Sequence, residues 1–452
     1  MPYSNLKSIS PLDGRYSEKV SELRDIFSEY GLIKYRVFIE IKWLQHLSSI
    51  NDLKELPKFN SDLEKKLNSI LNSFSIDQAN EIKKIESVTN HDVKAIEYYL
   101  RDSLKDYDGI EGFIHFGCTS EDINNLSYAL MFREARENIL LPMMKDIKTA
   151  LTDITDKYSD TPMISRTHGQ TASPTTVGKE MANIIHRLNA AVTDLNEIII
   201  LGKFNGAVGN FNAHYSAYPE LDWIEISNNF IKSIGLTPNE LTTQIEPHDW
   251  TAKFCHCLIR YNVILLDLCK DIWGYISIGY FKQKLNKNEV GSSTMPHKVN
   301  PIDFENAEGN LGVANSMLSH FSEKLPISRF QRDLTDSTVQ RNFGVAIGYT
   351  IISMKSLLKG LKKLELDEDK INDDLLNSWE VISEAIQTVM RRYNIPEPYE
   401  KLKELTRGQK INNEILIEFI ESLEIPDTAK KELISISPSS YIGAASILAK
   451  KI

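Results

Sequence analysis

The segment GSSTMPHKVNP at residues 291–301 concentrates reactive side chains in a loop bounded by Gly and Pro, which we call the serine loop. It carries hydroxyls at Ser292 and Ser293, followed by a cation at Lys298 and an amide at Asn300. Serine is a poor base in water, but it can remove a proton when loop closure excludes water and a nearby cation stabilises its alkoxide. The serine loop is therefore the first candidate for catalytic chemistry.

Two earlier segments also combine polar side chains that could act on a substrate. The first, at 117–125, reads GCTSEDINN, and the second, at 165–171, reads SRTHGQT with His168 in the middle. An imidazole titrates near neutral pH, so it can deliver a proton to a leaving group. The hydroxyls of Thr119 and Ser120 precede a helical pattern, where they could cap the helix, bind an anion, or do both.

Arginine is concentrated in one short stretch of a chain that is acidic as a whole. Arg329, Arg332 and Arg341 lie close together, whereas the formal net charge of the chain is -10. A guanidinium donates paired hydrogen bonds to a phosphate. The overall acidity argues against a nucleic acid or an anionic membrane as the partner, and a phosphorylated substrate would need a local cationic pocket to which these arginines could contribute.

Together, these motifs resemble the fumarase/aspartase superfamily, in the sequence of the serine loop and in the order and separation of the two other segments. SPLDGRY at 10–16, TNHDVK at 89–94 and His297 within the serine loop are similar to a bacterial branch that acts on a nucleotide. The likeness runs from about residue 8 to residue 341 and covers every motif position. It implies an all-α fold and the β-elimination of fumarate from a succinyl-amino nucleotide.

The resemblance also implies a role for each catalytic residue. Ser292 would remove the proton beside a carboxylate, and His168, kept charged by Glu305, would protonate the departing nitrogen. Lys298 would grip a succinyl carboxylate. Substrate contacts are implied at Arg15, Tyr16, Asn90, His91, Asp92, Thr119, Ser120, Gln244, Ser293, Lys298, Val299, Asn300, Asn306, Arg332, Ser337 and Arg341.

Helical periodicity dominates the regions that must hold these segments in place. Long helices are predicted from Glu121 to Tyr158, with a kink at Pro142, and from about Pro174 to Leu201. Apolar stripes of this kind predict a multi-helix bundle, and the polar stretches between helices, such as 165–176, are expected to be loops. The clearest stripe has steps of four and three residues: Phe254, Leu258, Tyr261, Leu265, Leu268, Ile272, Tyr275 and Gly279.

Three domains are predicted from changes in pattern along the chain. An N-terminal helical domain covers 1–111, a central long-helix bundle with the serine loop covers 112–364, and a C-terminal helical domain covers 365–452. The first has short helical stretches broken by Pro and Gly, and the last is strongly charged with a Pro-containing break.

Neither a metal nor a cofactor is expected. Cys255, His256 and Cys257 are adjacent on a helix, point to different faces and cannot converge on one ion. Elimination beside a carboxylate needs no redox group, and no Gly-rich dinucleotide fingerprint is found. The apolar runs are far shorter than the ~20 residues that span a bilayer, and the N-terminus lacks a secretion-signal pattern, so we expect a cytoplasmic protein.

Two other functions stay open on the sequence. Another lyase of the superfamily, acting on argininosuccinate, fumarate/malate or aspartate, would share the serine loop. The DGRY segment and the arginine concentration favour the nucleotide, because a small dicarboxylate needs no phosphate site. A non-catalytic scaffold, like some lens crystallins, would keep the bundle alone, and the joint presence of Ser292, His168 and Lys298 argues against it.

The predicted helix from Glu121 to Tyr158 has a consequence for assembly. At 1.5 Å per residue it would be roughly 55 Å long, with the Thr119–Ser120 motif at one end and His168 near the other. A substrate several ångströms long cannot reach both, so a site would combine residues from different subunits. The resemblance implies a homotetramer whose sites are shared among three subunits.

Overall fold

The computed structural model describes residues 5–284, 295, 298–406 and 411–452. Ser292 and Ser293 therefore lie outside the described residues. Within these ranges the chain is dominated by α-helices. They are α1 (Arg24–Phe27), α2 (Glu29–Ser49), α3 (Ser61–Asn72), α4 (Ile76–Thr89), α5 (Asp92–Ser103), α6 (Ser120–Ala135), α7 (Leu141–Lys157), α8 (Val177–Asn196), α9 (Asn212–Ala217), α10 (Trp223–Ser233), α11 (Asp249–Ser277), α12 (Ile302–Lys324), α13 (Thr335–Gln340), α14 (Phe343–Lys362), α15 (Glu368–Leu376), α16 (Ser383–Arg392), α17 (Pro398–Thr406), α18 (Asn413–Ser422), α19 (Asp427–Ile434) and α20 (Ala445–Ala449).

The strands of the described residues are short and form three two-stranded sheets. Strands β1 and β2 are antiparallel, β3 and β4 are parallel, and β5 and β6 are antiparallel. The predicted all-α fold is confirmed, because these pairs only link helices. The strands are β1 (Pro162–Thr167), β2 (Gln170–Thr176), β3 (Leu201–Gly202), β4 (Thr237–Pro238), β5 (Phe281–Gln283) and β6 (Leu364–Leu366).

The expectation of a loop at 165–176 was wrong, since this stretch forms most of the β1–β2 hairpin. Its exposed end pairs Thr167 with Gln170 and has no apolar alternation that would mark a strand. Backbone hydrogen bonds hold the pair together there. The next helix, α8, consequently begins at Val177, slightly later than predicted.

The helix predicted from Glu121 to Tyr158 forms as α6, a π-helical turn at Arg136–Leu140, and α7. The π turn lies immediately before Pro142, and the Leu141 N–H donates to the Arg136 carbonyl. Because proline has no N–H, it cannot bond to the carbonyl one turn earlier, and a wider turn accommodates the gap. The irregularity predicted at Pro142 thus takes the form of a π turn.

The apolar stripe predicted on residues 254–279 lies on α11. Phe254, Leu258, Leu265 and Leu268 are fully buried, as a helix packed against several neighbours requires. The last residue of the pattern, Gly279, lies beyond the helix with a left-handed φ of 83°. The Tyr280 N–H donates to the Tyr275 carbonyl across this glycine, which ends the helix as a Schellman motif.

Contacts within the chain divide it into two compact units. Unit 1 comprises Met1–Met143, Ala191–Val263 and Gly309–Ser353, and unit 2 comprises Met144–Ala190, Ile264–Glu308 and Met354–Ile452. This division does not test the three predicted domains, whose boundaries remain a prediction.

Two aromatic clusters form part of the core of unit 1. Trp43 packs against Phe204 and Phe230 with ring centroids 4.4 and 5.1 Å apart, and its indole N–H donates to the Phe116 carbonyl just before the GCTSEDINN segment. Phe132 packs against Phe343 at 4.7 Å, which ties α6 to the start of α14. The core thereby holds the residues just before the GCTSEDINN segment and joins α6 to the start of α14.

None of the described helices is long and apolar enough to cross a membrane.

Candidate active site

The tight connection between α4 and α5 places Asn90, His91 and Asp92. Asn90 ends α4 in the left-handed conformation, with φ of 52°, which asparagine tolerates better than most residues. His91 is the N-cap of α5, and its Nδ1 accepts the Lys94 N–H at 3.1 Å. With Nδ1 acting as acceptor, the proton of the neutral ring is on Nε2, on a side chain that is 53% exposed.

Asp92 lies between two arginines. Its Oδ2 is 2.8 Å from Arg36 Nη2 and 3.3 Å from Arg341 Nη2, and Arg341 also pairs with Glu29. Burial works to raise the pKa of Asp92, but the attraction of Arg36 and Arg341 outweighs it and the pKa is lowered. Asp92 and Arg341, which are far apart in sequence, are thus joined as members of one charged cluster in unit 1.

The SPLDGRY segment forms one wall of a cavity beside Arg341. The segment folds on itself, since the Gly14 N–H donates to the Ser10 carbonyl and the Tyr16 N–H to the Pro11 carbonyl. The cavity has a volume of about 320 Å³. Its polar lining comes from Ser10, Asp13, Arg24, Ser28, Glu29 and Arg341. Arg15 is exposed, with its guanidinium carbon 6.0 Å from the centre of the Tyr16 ring.

Thr119 and Ser120 lie at the start of α6, where both are partly buried. Thr119 is the N-cap, and its N–H donates to Asp122 Oδ2 at 2.8 Å. The positive end of the helix dipole at the α6 start favours an anion there. The predicted double role, capping and anion binding, is thus compatible with the local geometry.

A fully buried ion pair holds this helix start in place. Lys203 Nζ is 2.9 Å from Asp122 Oδ1, and both side chains have zero exposure. The lysine also donates to the Gly206 and Gln244 carbonyls, while the Asp122 carboxylate accepts the N–H groups of Asn205 and Gly206. The pair therefore connects three segments of unit 1: the α6 start, residues 203–206 and Gln244.

Gln244 and Arg332 meet beside the same helix start. Arg332 Nη1 donates to Gln244 Oε1 at 3.2 Å, and its Nη2 is 3.2 Å from Glu121 Oε2 and 3.6 Å from Asp336 Oδ1. We call these four residues the Arg332 cluster. An open cavity of about 360 Å³ adjoins it, and Gln244 and Arg332 belong to its lining. Ser337 lies one residue beyond, on α13, and its N–H donates to Asp336 Oδ1.

Burial shifts the two carboxyl groups of the Arg332 cluster. Glu121 is 1% exposed, and the loss of solvation raises its pKa to about 7 despite the opposing charge of Arg332. Burial also raises the pKa of Asp336. A buried carboxyl group whose pKa is raised to near neutral pH beside an arginine is typical of functional sites.

His168 occupies the tip of the β1–β2 hairpin in unit 2. His168 and Gly169 form the two-residue turn, both with positive φ, at 54° and 73°. This is the type I′ geometry that fits the twist of a hairpin. The His168 side chain is exposed.

The described end of the serine loop leads into α12. Lys298 is exposed, Val299 and Asn300 are half-buried, and the Lys298 N–H donates to the Met295 carbonyl. On α12, Glu305 Oε1 accepts the Trp273 indole N–H at 3.2 Å, and Asn306 Oδ1 accepts the Ser356 hydroxyl at 2.7 Å. All of these residues belong to unit 2.

The structure thus joins Asp92 with Arg341 and Gln244 with Arg332, as members of two charged clusters. Several further members of these clusters were not predicted. Glu121 and Asp122 follow Thr119–Ser120 directly, and read in sequence they resemble ordinary acids of a first helical turn. Lys203, alone in the Gly-rich, apolar stretch LGKFNGAVG, is the one residue whose context could have flagged a buried charge. The unpredicted members of the two clusters are Glu29, Arg36, Glu121 and Asp336, and the unpredicted buried pair beside them is Asp122 with Lys203.

No group of three or more His, Cys, Asp or Glu side chains in the described part of the chain could hold a metal ion.

Two solved structures share this fold. The fumarate lyase from Mesorhizobium matches with a TM-score of 0.76 at 16% identity, and the 3-carboxy-cis,cis-muconate lactonizing enzyme from Pseudomonas putida with 0.75 at 19%. Each match covers 95% of this chain and 96% of the other, and at such identities it concerns the fold alone. A family model described as lyase also matches residues 14–315. Fold and family model together define the class as a lyase of the fumarase/aspartase superfamily.

A second model, described as adenylosuccinate lyase C-terminal, matches residues 328–442. The adenylosuccinate lyase of Escherichia coli is 53% identical over 448 residues, covering 98% of each chain. That of Haemophilus influenzae is 51% identical over 455 residues and covers both chains fully. The chain belongs to the adenylosuccinate lyase family.

Proposed function

We propose that this protein is a carbon–nitrogen lyase that eliminates fumarate from adenylosuccinate to give AMP. It would also release fumarate from the succinyl-carboxamide imidazole ribotide (SAICAR) to give AICAR, so that it serves purine and AMP biosynthesis. The proposal rests on one observation: about half of the residues, over the whole chain, are identical to those of proteins named adenylosuccinate lyase.

The two charged clusters of unit 1 also favour a phosphorylated substrate. Arg341 adjoins the cavity beside SPLDGRY, and Arg332 adjoins the cavity beside Gln244. A small dicarboxylate such as fumarate/malate or aspartate would need neither arginine. The nucleotide therefore accounts for cationic groups that the rival lyase functions leave without a ligand.

The proposed reaction begins with loss of a proton from the carbon beside a succinyl carboxylate. Ser292 would accept that proton, and Lys298 and Asn300 would bind the carboxylate as its charge grows in the enolate. Thr119 and Ser120 would bind a carboxylate at the α6 N-terminus. His168, paired with Glu305, would protonate the departing nitrogen.

The direct test is to incubate the purified protein with adenylosuccinate and to follow AMP and fumarate. We expect equimolar formation of both products. The same assay with argininosuccinate, malate and aspartate tests the other lyase functions, and a protein that converts none of these compounds would be a scaffold instead.

Loss of an arginine from either cluster should weaken binding more than turnover. Arg341→Ala or Arg332→Ala removes a charge-assisted contact with the nucleotide, worth roughly 1.5–3 kcal/mol, in the ground state and transition state alike. We expect the Kd for AMP to rise about ten- to a hundredfold, with kcat little changed, as measured by calorimetry and steady-state kinetics.

Arg260→Ala is the matched control, because Arg260 forms an exposed pair with Asp194 outside both clusters. AMP should bind this variant as it binds the wild type. Unaltered AMP affinity in both cluster variants would show that these arginines are not part of the nucleotide site.

We also propose the homotetramer with sites shared among three subunits. Helix length supports it, as argued from the sequence, and so do three helical glycines: Gly274, Gly309 and Gly312. A Cβ atom at any of them would meet no described atom within 4 Å apart from the glycine's chain neighbours and the backbone of its own helix. Glycine in a helix is less stable than alanine by about 0.5–1 kcal/mol. Close packing of another subunit explains its presence at these positions.

Mixing two inactive variants tests the shared site. Ser292→Ala and His168→Ala subunits are each expected to be inactive, but a mixed tetramer contains some sites with both intact residues. Partial activity should return after subunit exchange, followed by fumarate release. Each variant mixed with itself is the control, and exchange shown by a fluorescent label without any return of activity would exclude shared sites.

A cytoplasmic location remains part of the proposal. Cys118, Cys255, Cys257 and Cys269 are free thiols, which is the usual state of cysteine in a reducing compartment.

A further inference from the structure

The Arg332 guanidinium is enclosed by protein groups of unit 1. Two carboxylates, Glu121 and Asp336, and the Gln244 side-chain carbonyl lie within 3.2–3.6 Å of its terminal nitrogens. Side-chain exposure is 16% for Arg332, 2% for Glu121 and 7% for Asp336. An arginine in this arrangement is already paired before any ligand arrives.

Hydrogen bonding within the cluster is nevertheless incomplete. Arg332 Nε, Glu121 Oε1 and Asp336 Oδ2 are buried and have no partner among the described residues. Buried polar groups are normally paired, so three unpaired atoms on three touching residues are places where a proton, a water molecule or a ligand can supply the missing partner. Glu121 Oε1 and Asp336 Oδ2 are both acceptors, so neither can bond to the other while both groups are charged. A proton on one carboxyl group would turn it into a hydrogen-bond donor.

A phosphate at Arg332 would bring two more negative charges to a guanidinium that already faces two carboxylates. We propose that Glu121 is a residue of the nucleotide site that takes up one proton from solvent when a phosphate monoester binds at Arg332. The neutral acid releases Arg332 from its pair, so that the guanidinium binds the phosphate. The inference rests on the proposed function, which supplies the nucleotide.

The surroundings favour Glu121 as the group that is protonated. Burial already brings its pKa to about 7, so a nearby dianion raises it further. Asp336 is the alternative acceptor, but the Ser337 N–H at 2.6 Å stabilises its charged form. Lys203, which also faces Glu121, is paired with Asp122.

Two other titratable groups lie near the cluster and cannot account for proton uptake above neutral pH. Burial lowers the pKa of His248, beside Arg332, to about 4, so this ring stays neutral. Burial raises the pKa of Tyr128, on the same helix as Glu121, to about 12, so its hydroxyl already carries its proton.

Proton uptake can be measured by titrating AMP into the full-length protein in a calorimeter at about pH 8, in two buffers of different ionisation enthalpy. The phosphate of AMP, with a second pKa of ~6, is already dianionic there and contributes no proton. We expect uptake approaching one proton per site. Because protonated Glu121 and dianionic AMP form the complex, AMP affinity should be highest at about pH 6–7 and fall by up to about tenfold per pH unit above that range.

The variant Glu121→Gln should bind AMP without proton uptake and with little dependence on pH. Glu246→Gln is the matched control, because Glu246 is equally buried and its pKa is raised by burial, but it bonds to Asn239 and to the His248 N–H rather than to Arg332. This variant should keep the uptake of the wild type. Adenosine, which lacks the phosphate, should bind the wild type without uptake, and this ligand control requires no variant.

Wild-type binding of AMP without proton uptake would overturn the inference, as would full uptake in Glu121→Gln or equal uptake with adenosine. If the protein releases fumarate from adenylosuccinate yet shows one of these results, the proposed function stands and only the inference about Glu121 is overturned. A protein that neither binds AMP nor releases fumarate would overturn both.

Discussion

His168→Ala is expected to lower kcat by about 10²–10⁴-fold while AMP still binds, because in the proposed mechanism the imidazole acts when the nitrogen departs rather than when the nucleotide is bound. The residue lies at the exposed tip of a type I′ turn, so its loss leaves no cavity. Steady-state release of fumarate measures kcat, and calorimetry measures the Kd for AMP. Ser292→Ala should give a loss of similar size, because no other group is assigned to remove the proton.

Backbone strain at the turn can be separated from the loss of the imidazole. Residue 168 has a positive φ, which asparagine tolerates better than alanine. His168→Asn should therefore keep the hairpin and still lose turnover.

For the Ser292→Ala prediction, Ser293→Ala is the control, and it should weaken substrate binding more than it lowers kcat. Turnover at the wild-type rate in His168→Asn or Ser292→Ala would mean that another group performs the assigned step.

Lys203→Met is expected to lower the free energy of unfolding by about 3–5 kcal/mol, since it leaves the Asp122 carboxylate buried without its counter-ion. Methionine has a similar length, so the change removes mainly the charge and the donor. The Gly206 and Gln244 carbonyls lose their lysine hydrogen bonds as well. Urea denaturation followed by circular dichroism measures the change in midpoint, and the assay for fumarate should show reduced activity because the α6 start is no longer held.

Lys105→Met is the matched control for this prediction. Lys105 pairs with Asp102 at 3.2 Å, but both side chains are about two-thirds exposed, at 67% and 68%. Exposed pairs contribute roughly 0–1 kcal/mol, so this variant should unfold close to the wild-type midpoint. Equal midpoints for Lys203→Met and the wild type would show that the buried pair does not stabilise unit 1.

The class of fold and the family could be predicted from the sequence because both depend on local patterns. The stripe from Phe254 to Tyr275 alternates at helical spacing, and that spacing alone requires a helix with one face buried. The serine loop and SPLDGRY are contiguous strings that need no folding to be recognised. The hairpin at 162–176 escaped prediction, since its tip is polar and its pairing depends on backbone groups that every residue carries.

The sequence by itself determined which residue types are available for the reaction and in which order they occur. Only the tertiary structure decided which charges are paired: Lys203 with Asp122, and Arg332 with Glu121 and Asp336. The reason is physical, because burial and proximity set the strength of a charge interaction and the pKa of an acid, and both arise from segments brought together by folding. Glu121 reads as an ordinary helix-start acid in the sequence, and burial beside Arg332 makes it a group that titrates near neutral pH.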